Sequence, residues 1–384
     1  MENMENTNNY IILDIGSGYC KAGFSGDAEP QIIIPTVVGH PKGLDSENID
    51  DANNLVFGQE ALDNKNKLNI VRPVQKGIVT DWENLTYFLD NLFKNELKID
   101  PKKYGMFFTD TPLTPNSHRE KLTELMFEKF QIPNIFLNNR AICTMWGANK
   151  EGGFVVDSGY DISMVVPNMF RLPYQEAIKT LDVGGRDINE YIEKLLIKNG
   201  VNPSLLTDSE INKFKEKYCY IAENSTNEEK EKKDIEMIYE LPDKTKITIK
   251  DERFLPPEIN FHPELIGKKF GGLAQIFCLS MYENDHYYEN DHFYKQTPDG
   301  TVVLAGGNTL IPNFAERLTK EIQKYYGGKF KNRIEEMFVI PQRKYIQWIG
   351  ASIFSLLHLF NRLCTTYEDY LENGATIINK NFFY

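Results

Sequence analysis

Cysteine is scarce, positive charge is in deficit, and long apolar runs are missing. The chain has five cysteines among 384 residues (Cys20, Cys143, Cys219, Cys278 and Cys364). None sits in a C-x-x-C or metal-ligand spacing, which excludes a disulfide framework or zinc module and fits buried thiols in a reducing compartment. A net charge of −12 argues against nucleic acid as the main partner. The longest apolar stretch, Trp348 to Phe360, is interrupted by Ser352, Ser355 and His358. It is too short to span a bilayer and is read as a buried helix. Met1 to Asn9 is polar, so no leader peptide is expected.

What remains is a chain with 41 % hydrophobic residues, ample for a sizeable core in two domains. Two motifs organise it. Ile11, Ile12 and Leu13 lead into Asp14-Ile15-Gly16-Ser17-Gly18, and Phe154, Val155 and Val156 lead into Asp157-Ser158-Gly159. Each places a carboxylate at the end of a buried strand, where small residues let backbone N–H groups approach a polyphosphate. The two aspartates can hold a divalent cation, directly or through its waters. A third glycine turn, Ala305-Gly306-Gly307, follows the strand Thr301 to Leu304 and precedes a helical pattern at Phe314, Arg317 and Leu318. Three strand-then-glycine turns imply two similar half-domains facing a nucleotide cleft.

Other segments give local readings. A helix is expected over Trp82 to Leu97, a strand over Tyr104 to Thr109, and a capping box at Ser117 and Glu120. Ile188, Tyr191, Ile192, Leu195 and Leu196 form a helical core stripe closed by Asn199-Gly200. His40 to Asn54 reads as an exposed, mobile loop, and Glu223 to Lys233 as a solvated loop or helix tip. Tyr282 to Phe293 repeats Tyr-Glu-Asn-Asp-His in tandem; it reads as a slipped-repeat surface insertion, with a partner or metal surface through His286 and His292 as the alternative.

Together these segments resemble the signatures of actin and the actin-related proteins: Asp14 to Gly18, Lys21 to Gly26, Gly77 to Trp82, Asp157 to Gly159, Gly185-Arg186-Asp187, Tyr239 to Asp243, Ala305 to Gly307, and Arg343 to Tyr345 with Trp348 to Gly350. They occur in order over nearly the whole chain. The resemblance implies an α/β actin fold, a duplication of ribonuclease-H-like domains in the superfamily shared with chaperone ATPases and sugar kinases, with a nucleotide cleft between two domains. By it, residues 1–145 plus 345–384 form a small domain with the loop 40–54 at its tip, and residues 146–344 form a large one. It implies ATP or ADP with Mg2+ or Ca2+ as cofactors. Asp14 and Asp157 would face the cation, and Gly16, Ser17, Gly18, Lys21 and Gly159 the phosphates. Gly185, Lys215, Glu216, Gly307, Asn308 and Lys344 would surround the adenosine.

The chain departs from the family where chemistry would occur. A glutamine and a histidine position the attacking water in actin; Arg140 and Met164 stand in their places. Arginine only donates hydrogen bonds and methionine has negligible basicity, so no catalytic residue is assigned and hydrolysis is expected to be slow or absent. Arg140 would either face the γ-phosphate or turn away to a surface acid. Tyr160 and Asp161 replace aspartate and glycine and are expected to loosen the second phosphate loop. Asn308, Leu310 and Ile311 replace threonine, methionine and an aromatic residue near the adenine. The 40–54 loop lacks an apolar segment, and the loop Phe261 to Leu273 keeps Leu265 and Ile266 but gains Lys268 and Lys269. Trp146, Ile353, Leu356 and Leu357 would either line a partner-docking cleft or pack in the core.

The functional expectation is a divergent actin-like subunit of a cytoskeletal assembly or short filament in the cytoplasm, partnered by other actin-like subunits or cytoskeletal proteins. The alternatives are an active ATPase cycling between monomer and filament, and an actin-related subunit of a nuclear chromatin complex.

Overall fold

The computed structural model describes residues 10–42, 55–222, 236–289, 300–326 and 336–380. Most of the 40–54 loop, the 223–233 stretch and the second copy of the tandem repeat lie outside them. The chain divides into two compact units: Met1–Val155, Asn168–Gln175 and Tyr345–Tyr384 form one, and Val156–Pro167 and Glu176–Lys344 the other. Residues 146–155 and 168–175 therefore belong with the first unit, not the second as the sequence reading has it. The helix that carries Met145 runs on to Ala148, so a boundary at Met145 would cut a continuous element.

The first unit is built on a six-stranded sheet. From β1 (Tyr10–Ile15) the sheet runs through β2 (Tyr19–Phe24) to the edge strand β3 (Ile32–Pro35), with β4 (Gly105–Asp110) and β5 (Asn134–Asn139) on the other side of β1. β1 pairs antiparallel with β2 and parallel with β4, which is itself parallel to β5. The two-residue period of a strand sorts the apolar side chains onto both faces. Ile11, Leu13, Met106 and Phe108 join Phe88, Leu89, Phe93 and Phe127 in one core cluster. Ile12, Phe107 and Phe136 join Trp348, Phe354 and Phe360 in another.

The helix α1 (Trp82–Asn91) is capped by Asp81, whose carboxylate accepts from Asn84 N–H at 3.0 Å; beyond it a π turn, Leu92–Glu96, completes the expected span. The capping box at Ser117 does not form. The helix α2 (Asn116–Glu124) begins after Pro115, without a side-chain cap, because proline sets the extended entry by its fixed φ.

Two further helices of this unit, α3 (Arg140–Ala148) and the Ile346–Phe354 helix, pack closely through glycines. A Cβ on Gly350 would lie 1.7 Å from the Cys143 carbonyl oxygen, and one on Gly147 2.6 Å from that of Ile346. The stretch Trp348 to Phe360 is not one buried helix. The helix ends at Phe354, and Leu356, Leu357 and Leu359 are exposed.

The second unit centres on a sheet in which β6 (Gly153–Ser158) lies between β7 (Ser163–Met169) and β8 (Thr301–Ala305), with β9 (Glu336–Phe338) beyond β8. The helix α4 (Gly185–Lys198) buries Ile188, Ile192 and Leu196 of the expected stripe and leaves Tyr191 and Leu195 half-buried, and Gly200 beyond its end has φ +89°. The helix α5 (Asp208–Tyr218) is capped by Thr207. The first copy of the tandem repeat continues the helix α6 (Leu273–Glu289), with Asn284 buried and Tyr282 exposed.

Lys268 donates to the carbonyl oxygen of Asp182 and, at 2.8 Å, to the carboxylate of Asp187, tying the Phe261 to Leu273 loop to its own unit. Among the described residues no helix is long and apolar enough to cross a membrane.

Candidate functional site: two aspartate loops

In the first unit the loop lies at the carboxyl ends of β1, β4 and β5, where parallel strands leave their last side chains in common reach. Asp14 and Lys21 are cross-strand partners in the β1–β2 hairpin, and Lys21 Nζ donates to Asp14 Oδ2 at 2.8 Å. From β4, Thr109 Oγ1 donates to Asp14 Oδ1 at 2.7 Å. Arg140 opens α3 directly after β5. Its Nη2 donates to the Ile15 carbonyl at 2.8 Å and lies 3.1 Å from Asp14 Oδ1. The acid it meets is not on the surface, as one of the two expected orientations has it, but buried in the loop itself: Asp14 is 2 % exposed. Burial alone would raise the Asp14 pKa. The charges of Lys21 and Arg140, with hydrogen bonds from Lys21 and Thr109, outweigh it and hold the carboxyl well below the usual range.

The glycine turn is held by its backbone. Gly16 N–H donates to Tyr19 O at 3.0 Å, Thr36 N–H to Gly18 O at 3.0 Å, and Arg72 Nη1 to Ser17 O at 3.2 Å. Ser17 Oγ accepts from Gly77 N–H at 3.0 Å, which joins two of the sequence motifs. Gly77 has φ +80°, a conformation that favours glycine.

The loop of the second unit is held differently. Asn308, buried at the start of the turn after β8, donates to Gly159 O at 2.7 Å and to Ser158 Oγ at 3.2 Å. Ser158 Oγ lies 2.8 Å from Ser163 Oγ, which donates to Val183 O at 2.9 Å. The first amides of α4 complete the brace: Gly185 N–H donates to Gly159 O and Arg186 N–H to Tyr160 O, at 2.9 and 2.8 Å. Gly306 has φ +87°, and a Cβ there would meet Ser158 O at 2.2 Å and Asp157 Oδ1 at 2.5 Å. The loosening expected from Tyr160 and Asp161 has no counterpart in these bonds. Asp161 is buried with Arg186 Nε 3.4 Å away, and the carbonyl of Tyr160 carries an α4 amide.

Of the residues expected around the adenosine, Gly185, Lys215 and Asn308 converge. A Cβ on Gly185 would lie 2.9 Å from Asn308 Oδ1 and 3.3 Å from Lys215 Nζ. Burial pushes the Lys215 ammonium down to about 8. Glu216 follows it on α5 and is exposed. Gly307 faces open space, Leu310 is exposed and Ile311 is buried. Lys344 follows Arg343, whose carbonyl accepts from Gly306 N–H at 3.1 Å. Met164 is buried in β7 and brings no basic atom to this unit.

Tested as cation ligands, the aspartates differ. Asp157 is half-buried at its strand end. Both oxygens of Asp14 are already engaged, one by an ammonium and the other by a guanidinium and a hydroxyl, so Asp14 as found does not fit a direct divalent ligand. Thr109 and Gly77 N–H are contributors that the sequence reading missed. The signal for Thr109 was a polar residue at the exit of an otherwise apolar buried strand.

On the first unit, Ile353, Leu356 and Leu357 are exposed, and Trp146 carries the Arg171 guanidinium 4.3 Å from its ring. A polar cavity of about 340 Å³ lined by Asn199, Glu236, Thr248, Lys250, Asp251 and Glu252 contains none of the motif residues. A protein-family model described as Actin matches residues 5–211 and 204–383.

Proposed function

The chain belongs to the actin family, and on that premise we propose that it binds ATP or ADP through its two aspartate loops and serves as a structural subunit of a cytoskeletal assembly or short filament, with slow or absent hydrolysis. The observation that carries the reading is the engagement of Arg140. One arm, Nη2, is held on the Ile15 carbonyl beside Asp14, and a guanidinium has no lone pair with which to orient an attacking water. With Met164 buried and non-basic, neither position offers an acceptor for that water's proton. Phosphoryl transfer depends on such positioning, so a bound triphosphate would persist.

The nucleotide then acts as a structural ligand, stabilising the native state by RT ln(1 + [L]/Kd), about 2.7 kcal/mol at a hundredfold excess over Kd. The tethering of Lys268 to Asp187 supports limited assembly, because it commits the loop carrying Leu265 and Ile266 to its own unit. The partners proposed are other actin-like subunits or cytoskeletal proteins, with the exposed Ile353, Leu356 and Leu357 as the docking surface, and the compartment proposed is the cytoplasm.

The test is denaturing extraction of nucleotide from purified protein, followed by steady-state phosphate release from the wild type and Arg140→Gln. Retained ATP with no phosphate from the wild type is the expected result. Turnover by the wild type would refute the structural role of the nucleotide, and localisation of tagged protein to the nucleus would refute the compartment.

A further inference from the structure

The charges around Asp14 do not balance. One carboxylate, 2 % exposed, is paired with two cations, Lys21 at 2.8 Å and Arg140 at 3.1 Å, so the cluster carries one net positive charge where a neutral residue at position 140 would leave none. Arg140 is also built into this position. Its helix start is fixed by Asn139, whose side chain accepts from Ala141 N–H at 2.9 Å, and Nη2 is anchored on the Ile15 carbonyl at 2.8 Å. The guanidinium lies beside the Gly77 turn, where a Cβ would meet Nη1 at an ordinary contact distance of 3.7 Å. Among the described residues no cluster of three or more His, Cys, Asp or Glu offers a divalent ion an alternative all-protein site.

We propose that the Arg140 guanidinium takes, at Asp14, the charge-compensating place that a divalent cation would otherwise fill, so that this chain holds nucleotide phosphates with little dependence on magnesium or calcium. The proposal rests on the nucleotide reading above and deepens it. A net-positive cluster repels a divalent ion and attracts a polyphosphate, and a guanidinium keeps its charge at every physiological pH. Its planar fork can donate to phosphate oxygens while one arm stays on the Ile15 carbonyl.

The test is equilibrium binding of a fluorescent ATP analogue to the nucleotide-stripped full-length protein, once in excess magnesium and once in excess EDTA, for the wild type, Arg140→Gln and Arg140→Lys. Circular dichroism confirms that each variant is folded. The wild-type affinity is expected to change by less than about threefold between the two conditions, and that of Arg140→Gln to fall by more than about tenfold in EDTA, with Arg140→Lys between them. Wild-type binding that collapses in EDTA overturns the proposal by itself, even if no variant folds. Arg140→Gln binding that is as indifferent to EDTA as the wild type overturns it too, because the independence would then not come from Arg140. Absence of binding in magnesium as well as EDTA overturns the nucleotide reading, and this proposal with it.

Discussion

The two aspartate loops repeat one motif at the end of one kind of strand, yet charge holds the first and shape holds the second. Around Asp14 the principal partners are an ammonium, a guanidinium and a hydroxyl. Around Ser158 and Gly159 they are neutral amides and hydroxyls, pressed against a left-handed glycine. Charge can be tuned by substitution at one position, as the arginine at 140 illustrates. A steric brace tolerates little change at its glycine, but it grips the backbone carbonyls of Gly159 and Tyr160, which any side chain at 160 leaves available.

The comparison breaks most sharply at Gly306. An alanine there must hold φ near +87° and place a methyl group 2.2 Å from a backbone carbonyl, with no flexible side chain to give way. Gly306→Ala is expected to cost about 4 kcal/mol or to prevent folding. In the first loop a Cβ on Gly16 would approach Tyr19 O to 3.0 Å, so Gly16→Ala is expected to cost about 1 kcal/mol. Urea unfolding of the two variants side by side measures the contrast; equal losses would refute a division between shape and charge.

The charge-held loop breaks at Asp14. Asp14→Asn leaves Lys21 and Arg140 facing each other with no anion between them, an expected loss of about 3 kcal/mol at neutral pH. Because the folded pKa of Asp14 is depressed, its stabilisation is fully present above the unfolded value of about 3.9 and is lost as pH falls through the folded one. The deficit of Asp14→Asn relative to wild type is therefore expected to stay constant from neutrality to about pH 5 and to shrink below about pH 4. A deficit that persists undiminished at low pH would mean that the loss comes from packing.

Much of this difference could not be read from the sequence, for physical reasons. Asp14 and Lys21 meet because a tight hairpin makes them cross-strand partners, so their pairing follows from local spacing. Arg140 was visible as an anomaly but its direction was not, because its target is set by the parallel alignment of β1, β4 and β5, a contact across 125 residues. Asn308 reaches the second loop from 149 residues away and gave no signal beyond its place in a glycine turn. Local signals failed where a stronger local rule intervened. Pro115 started a helix that a serine was expected to cap, and the run from Trp348 to Phe360 ended its helix at Phe354 with its later leucines exposed.

Asn308 offers a milder test of the neutral brace. Asn308→Ala removes two hydrogen bonds and leaves the carbonyl of Gly159 with only the Gly185 amide, a loss expected near 2 kcal/mol. Asn308→Asp replaces the donating amide by an acceptor facing the same carbonyl and should cost more than alanine. If the two variants lose the same stability in denaturant titrations, the donated bonds are not what fixes the loop.

The smallest expected effect concerns a cation that burial disfavours. Lys215 stands beside Gly185 with its ammonium pushed down to about 8, the reverse of the situation at Asp14, where pairing overcomes burial. A lysine whose folded pKa lies below its unfolded value of about 10.4 costs stability while the unfolded chain is protonated; the cost is full below about pH 8 and fades as pH rises toward 10.4. Lys215→Met should therefore raise stability at pH 7 by about 1 kcal/mol, and the gain should vanish near pH 10. Thermal melts at both pH values measure this, and a variant less stable than wild type at pH 7 would refute it. Repeating the melts with saturating ATP sharpens the comparison. If Lys215 contacts the nucleotide, the ligand repays the cost of the buried charge, and the wild type gains more from ATP than the variant does.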